Sequence, residues 1–205
     1  MSAPRWRGFV SSTLVAMSLA GCSSTVAVDV GYPDANVNRA TLASVRPRRV
    51  EVRPVADRRP DTTRIGVQPD EKKKPVVTSR PVADIVRDAL VTELQRNGHA
   101  VVSDHPELVI AADVDEFSFD VVSGRSSAQY VGKAALALAV TDRQSGKTVF
   151  ARRYVGIKRQ TADLEAKHAA RDVMDAALAR AMHDLATDGE LAQAFGGGRP
   201  DVQRI

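Results

Sequence analysis

Residues 130–158, YVGKAALALAVTDRQSGKTVFARRYVGIK, decide the fold. Leu136, Leu138 and Val140 alternate with Ala135, Ala137 and Ala139, the period of two that gives a strand two different faces. A face of small residues predicts a sheet with something packed closely over the alanines. Asp142 to Lys147 (DRQSGK) has the polar residues and the glycine of a hairpin loop, so Thr148 to Lys158 returns as the next strand after Tyr130–Thr141. Upstream, Leu108 to Val122 reads as one long strand or two shorter ones. There Leu108, Ile110, Ala112 and Val114 fall on one parity, and Val109, Ala111, Asp113 and Asp115 on the other. Ser123 to Ser127 (SGRSS) is a turn. Long strands in a run, joined by short connections, argue for a mostly antiparallel or mixed sheet.

Helical periodicity flanks this run. Val82, Ile85, Val86, Ala89, Leu90 and Leu94 make one apolar stripe, with Pro81 in the first turn and Asn97-Gly98 as a left-handed cap. His99 to Val102 leaves that cap as a strand. A second stripe (Ala166, Ala170, Val173, Met174, Ala177, Leu178, Ala181, Leu185) predicts a helix from about Ala162 to Thr187. Asp188-Gly189 ends it, and Glu190 to Phe195 adds a further turn. Earlier in the chain, Val50 to Val55 predicts a strand stopped by Pro54, and Ile65-Gly66-Val67 a shorter one. Strands backed by two amphipathic helices on one face make a two-layer α+β sandwich.

The N-terminus points elsewhere. Arg5 and Arg7 are the only charges in residues 1–21, and Gly8 to Leu19 is uncharged and mostly apolar. A basic start, a short apolar run and a small-residue cut site describe a secretory signal peptide. The run is shorter than the roughly 20 residues a spanning helix needs. It ends in Leu19-Ala20-Gly21-Cys22, and Cys22 is the only cysteine of the 205-residue chain, which leaves no partner for an internal disulfide. Cleavage between Gly21 and Cys22 would leave 27 Lys and Arg against 25 Asp and Glu, a net charge of +2. That balance does not mark a nucleic-acid binder. Residues 22–47 hold no sustained periodicity and read as a flexible tether, with a short strand within Thr25–Val30 as an alternative there, since Val26, Val28 and Val30 alternate. The domain proper is expected over 48–195, with a disordered tail at 196–205.

Chemistry-bearing motifs are scarce. The chain has no phosphate-binding glycine loop, no G-x-S-x-G and no H-E-x-x-H. His99, His105, His168 and His183 show no ligand spacing. No catalytic residue, metal site or cofactor is therefore expected. Asp113, Asp115, Glu116 and Asp120 are the densest acidic group, read as a solvent-facing strand edge before a cation site. Arginines crowd residues 46–64, and Lys72, Lys73 and Lys74 follow. Arg48, Arg49, Arg58, Arg59 and the three lysines are the candidates for an anionic partner: lipid headgroups, lipopolysaccharide phosphates or peptidoglycan carboxylates. The competing reading is a solvated basic loop, with Asp57-Arg58-Arg59 either a binding lip or a turn held by a local ion pair.

The LAGC run resembles the lipobox of bacterial lipoproteins, which implies diacylglycerol on the Cys22 thiol, cleavage before it and acylation of the new amine. Several acyl chains on one residue anchor effectively permanently. Ser23, in place of the Asp that retains lipoproteins at the inner membrane, implies the outer membrane. VEVRPVADRR, SRPVADIVRDALVTELQRNGHAVV, ELVIAADVDEFSFDV, KAALALAVTDRQSGKTVFARRYVG and DVMDAALARAMHDLATDGELAQAF follow one another over most of residues 50–195. In order and spacing they resemble the YajG-type lipoproteins. That resemblance implies a membrane-anchored periplasmic domain that binds an envelope protein or cell-wall polymer, with a purely structural lipoprotein or a transport auxiliary as the alternatives.

Overall fold

Three antiparallel strands of 16 residues each form the centre of the protein: β7 (Leu108–Ser123), β8 (Ser127–Asp142) and β9 (Thr148–Asp163). The computed structural model describes residues 25–33, 39, 41–70, 72–163, 166 and 168–197. Residues 1–21, with Gly21, and the lipidation candidate Cys22 fall outside them, as does most of the tail. At ~3.4 Å per residue each long strand spans about 50 Å. β9 runs beyond the expected Lys158 to Asp163, which pairs with Ser127. Residues 162 and 163, expected to open the last helix, are therefore in the sheet. Lys158, Arg159 and Thr161 are exposed and Gln160 is half-buried, so no apolar alternation marks the extension; backbone pairing with β8 holds it.

Shorter strands complete the main sheet: β2 (Arg49–Val52), β3 (Ala56–Asp57) and β6 (Ala100–Val101). The order is β6-β2-β7-β8-β9, with β3 also beside β7, and β2 and β3 lie parallel to β7. The sheet is thus mixed. Pro54, which has no N–H for the ladder, falls in the break between β2 and β3. β7 carries a bulge, its register shifting between Val114 and Glu116. The extra residue reverses parity: Leu108, Ile110, Ala112 and Val114 are buried before it, Phe117 and Phe119 after it.

Helix α1 (Val82–Arg96) ends as its Asn-Gly signal predicts. Gly98 takes φ +92°, Gly98 N–H donates to Gln95 O and His99 N–H to Leu94 O, the two bonds of a Schellman cap. Helix α2 (Ala169–Ala186) lies on β8 and β9, and α3 (Gly189–Gly196) is capped by Asp188. α3 forms where Glu190 to Phe195 was expected to add a further turn of helix. The packing expected over the alanines lies on the opposite face. A Cβ at Gly132 would come within 2.6 Å of Val173 O, and one at Gly156 would overlap Ala177 O. The two glycines let the α2 backbone approach the strands. Over the alanine side runs the Arg153 side chain, whose Nε reaches from β9 across β8 to Asp115 at 2.8 Å.

A second sheet, absent from the sequence reading, joins β1 (Val26–Val28), β4 (Gly66–Val67) and β5 (Pro75–Thr78) in the order β1-β5-β4. β1 runs parallel to β5, with Val26 opposite Val76. Part of the expected tether is therefore packed on the domain. Val30 and Leu42 are fully buried, Gly31 N–H donates to Asp175, and the Tyr32 hydroxyl donates to Glu93 at 2.6 Å. The alternating valines find the free edge of β5, and their burial holds them there.

Candidate functional site: an interior cleft and the basic residues

Between the two sheets lies a cleft of about 250 Å³. Val26 and Val28 of β1, Val76 of β5 and Ala170 of α2 make its apolar wall, while Gln68 and Asp70 form a polar rim beside Pro69. Phe119 and Tyr130 face each other there with ring centroids 6.1 Å apart. A Cβ at Gly66 would come within 2.6 Å of the Phe119 ring, so glycine sets the position of that ring. Burial pushes the Tyr130 phenol up from its ordinary value, so at neutral pH it stays a hydrogen-bonding group and not a base. The cleft has room for a small group beside its valines and Phe119, with Gln68, Asp70 and Tyr130 as the polar residues of its lining.

On the other side of Phe119 a more open groove runs between the 59–67 segment and β7. Arg59 lies beneath it, 8% exposed. Its Nε and Nη2 donate to the Asp57 carboxylate at 2.9 and 2.7 Å, and its Nη1 donates to the carbonyls of Arg64 and Phe117. The Arg59 hydrogen bonds hold Asp57 below the usual carboxylate range, against the opposing effect of burial. The Asp57-Arg58-Arg59 segment is thus the end of β3 and the residues just after it, held by a local ion pair.

The other candidate arginines divide in the same way. Arg48 is also 8% exposed; its Nε donates to Phe195 O at 2.5 Å and its Nη1 pairs with Glu107 at 2.8 Å, tying α3 to β2. The Arg49 N–H is the main influence holding Glu107 low, followed, after the opposing effect of burial, by Arg48. Arg49 is exposed, but it donates to the Asp104 and His105 carbonyls; exposed Arg58 lies 3.6 Å from Asp113. The expected anion-binding set therefore loses Arg48 and Arg59, whose donors are spent on internal carbonyls and carboxylates. Lys72 and Lys73 are exposed and Lys74 half-buried. They form no ion pair among the described residues.

The acidic group is also partnered. Asp115 pairs with Arg153, and Lys133 with Asp120 at 3.0 Å and Glu116 at 3.8 Å. These are cross-strand pairs over the open face of the sheet, and no described cluster of three His, Cys, Asp or Glu side chains could hold a metal ion. His99 is 3% exposed: its Nδ1 accepts from the Arg48 N–H, its Nε2 faces Leu42 O at 3.3 Å, and its ring packs against Phe195. Burial pushes its pKa down. A second pin was not foreseen. Asp188 caps α3 through the Glu190 and Leu191 N–H groups, and it accepts from the Tyr154 hydroxyl at 2.8 Å and Arg152 at 2.6 Å. Burial, then the Asp188 hydrogen bond, raises the Tyr154 pKa. Only the Asp188-Gly189 pair hinted at this cap; Arg152 and Tyr154 join it through folding alone.

A family model described as an uncharacterized lipoprotein matches residues 33–195. The chain belongs to this lipoprotein family. Among solved structures, the lipoprotein is similar to a Xanthomonas campestris protein of the DUF330 family model, at 17% identity and TM-score 0.63 over 85% of this chain and 98% of that one. It is also similar to a minor lipoprotein from Acinetobacter baumannii, at 11% identity and TM-score 0.38 over 73% of this chain and 93% of that one. The first likeness shows a shared fold. Among curated proteins none matches the lipoprotein. Lipoprotein membership makes it a membrane-associated envelope protein, and no described helix is long and apolar enough to cross a membrane.

Proposed function

We propose that this lipoprotein is a non-enzymatic binding or accessory protein of the YajG type, held on the outer membrane by lipid on Cys22 with its domain in the periplasm. The observation that carries the reading is the cleft between the sheets. It is lined by valine, phenylalanine, alanine and proline, with Tyr130, Gln68 and Asp70 as its polar residues. A reacting site gathers nucleophile, base and oxyanion donors around one point. Here the buried polar residues Arg48, Arg59, Glu93, His99 and Asp188 each join separate elements of the fold, and buried Asn97 bonds back to Glu93 at the end of α1. An apolar cleft with a polar rim suits recognition of a side chain or short acyl segment.

A photo-crosslinking amino acid at Gln68, on the rim, tests binding in living cells. The reading predicts a discrete adduct from Gln68 that is absent when the crosslinker replaces Lys147. The same mixture of abundant envelope proteins from both positions would instead indicate a structural lipoprotein with no discrete ligand. Separation of inner and outer membranes, followed by blotting, tests the location.

A further inference from the structure

We infer that the end of the domain bearing the Lys72–Lys74 turn lies against the bilayer, where the three lysines contact the phosphates of anionic lipid headgroups. The inference rests on the reading of Cys22 as the lipid-bearing residue. It follows from the direction of two strands. β1 and β5 are parallel neighbours, with Val26 opposite Val76 and Val28 opposite Thr78. The chain therefore enters both strands from the same end. Lys72 stands four positions before Val76, as Cys22 stands four positions before Val26. Four residues of fully extended chain reach at most about 14 Å. A packed domain whose first strand begins that close to its anchor cannot stand far off the membrane.

The lysine turn belongs to the same end. Val67 pairs with Pro75, Gln68 N–H donates to Lys74 O, and Lys73 takes φ +43° at the tip of this hairpin. The cleft also places the end of the molecule, since Gln68, Pro69 and Asp70 line it together with Val26 and with Phe119 and Tyr130 near the β7–β8 turn. Arg125, exposed in that turn, adds a fourth cation. Asp70 is drawn into its own turn, its carboxylate accepting the Lys73 N–H at 3.0 Å. With Asp70 and Glu71 counted, residues 70–74 still carry a net charge of +1. The opposite end, at the β8–β9 hairpin with Lys147, lies about 50 Å away along β8. Lysine ammoniums on flexible stems suit mobile headgroup phosphates, and each basic residue near an anionic surface contributes about a fivefold gain in partition.

The test uses the full lipidated chain in liposomes of phosphatidylcholine, alone or mixed with phosphatidylglycerol, and in detergent. A membrane-impermeant amine-acylating reagent marks exposed lysines, and mass spectrometry reads each one. On mixed liposomes Lys72–Lys74 should label about fivefold more slowly than in detergent. Lys147 should be unchanged, and raised salt should relieve the protection by screening. If the protein floats with the liposomes but Lys72–Lys74 label as fast as in detergent, the inference is wrong and the anchor stands. If inorganic phosphate in detergent protects the lysines equally, they form a site for free anions and the bilayer contact is rejected. A protein that does not float with liposomes removes the anchor reading and this inference with it.

Discussion

Gly156→Ala adds one methyl group to an interior strand position and should destabilise the protein severely. In the absence of neighbours the change would help slightly, by about 0.4–1 kcal/mol, because alanine restricts the unfolded chain. Gly156 adopts no left-handed backbone, and its new Cβ would overlap Ala177 O and lie 2.7 Å from Ala181 N. Both are backbone atoms of α2, so no side chain can rotate out of the way. The helix must lift from β9, opening contacts made by Val173, Met174 and Leu178, all fully buried. Overpacking of this kind costs about 1–3 kcal/mol, and displaced backbone puts the expectation at the top of that range. For a domain of this size ~3 kcal/mol lowers Tm by about 6–12 °C. Urea unfolding followed by circular dichroism should show a lower midpoint at unchanged slope. Gly189→Ala, with nothing within 4 Å of its Cβ, is the control and should change little. Equal stability of Gly156→Ala and the parent protein would refute the close packing of α2 on β9.

Other outcomes follow from the buried polar pins. Asp188→Ala removes the α3 cap, at about 1 kcal/mol, and strands the buried Tyr154 hydroxyl, at about 1–3 kcal/mol more; chemical denaturation measures the sum. His99 has a folded pKa below its ordinary 6.5, so it contributes stability above that value and loses it as pH falls through the lower folded pKa. A stability–pH curve should decline on that limb, and His99→Gln should flatten it. Asp57 is likewise depressed below 3.8; its contribution is complete above that value and disappears only at lower pH, a second decline that Asp57→Asn should remove. Arg59→Gln leaves the Phe117 and Arg64 carbonyls without their guanidinium donor and Asp57 without its partner, and should destabilise more than Arg58→Gln, whose side chain is 68% exposed.

What the sequence disclosed, and what it hid, divides along locality. The α1 cap was legible because Asn97-Gly98 acts within a few residues, and the β8–β9 hairpin because the polar DRQSGK ends an alternating run. The bulge at Asp115 was not, since one inserted residue leaves each half of β7 alternating normally. β9 past Lys158 is held by pairing alone, and the alanines that follow favour helix intrinsically, so the predicted boundary fell seven residues before the observed start of α2 at Ala169. The internal role of two basic candidates, Arg48 and Arg59, was hidden for a different reason. Arginine composition is visible, but the Phe195 carbonyl that takes the Arg48 guanidinium lies 147 positions away. The alternation of Val26, Val28 and Val30 was visible too and allowed a short strand; its partner β5 was not, so the segment as a whole read as tether.

The central claim is that lipid on Cys22 holds this domain at a membrane. Intact mass of the membrane-extracted protein, with fragmentation of its N-terminal peptide, tests it most directly. The account predicts a mature chain that begins at Cys22 and bears thioether-linked diacylglycerol and an amide-linked acyl group, with both lost in Cys22→Ala. A chain that begins elsewhere, or begins at Cys22 with a free thiol and amine, would contradict it.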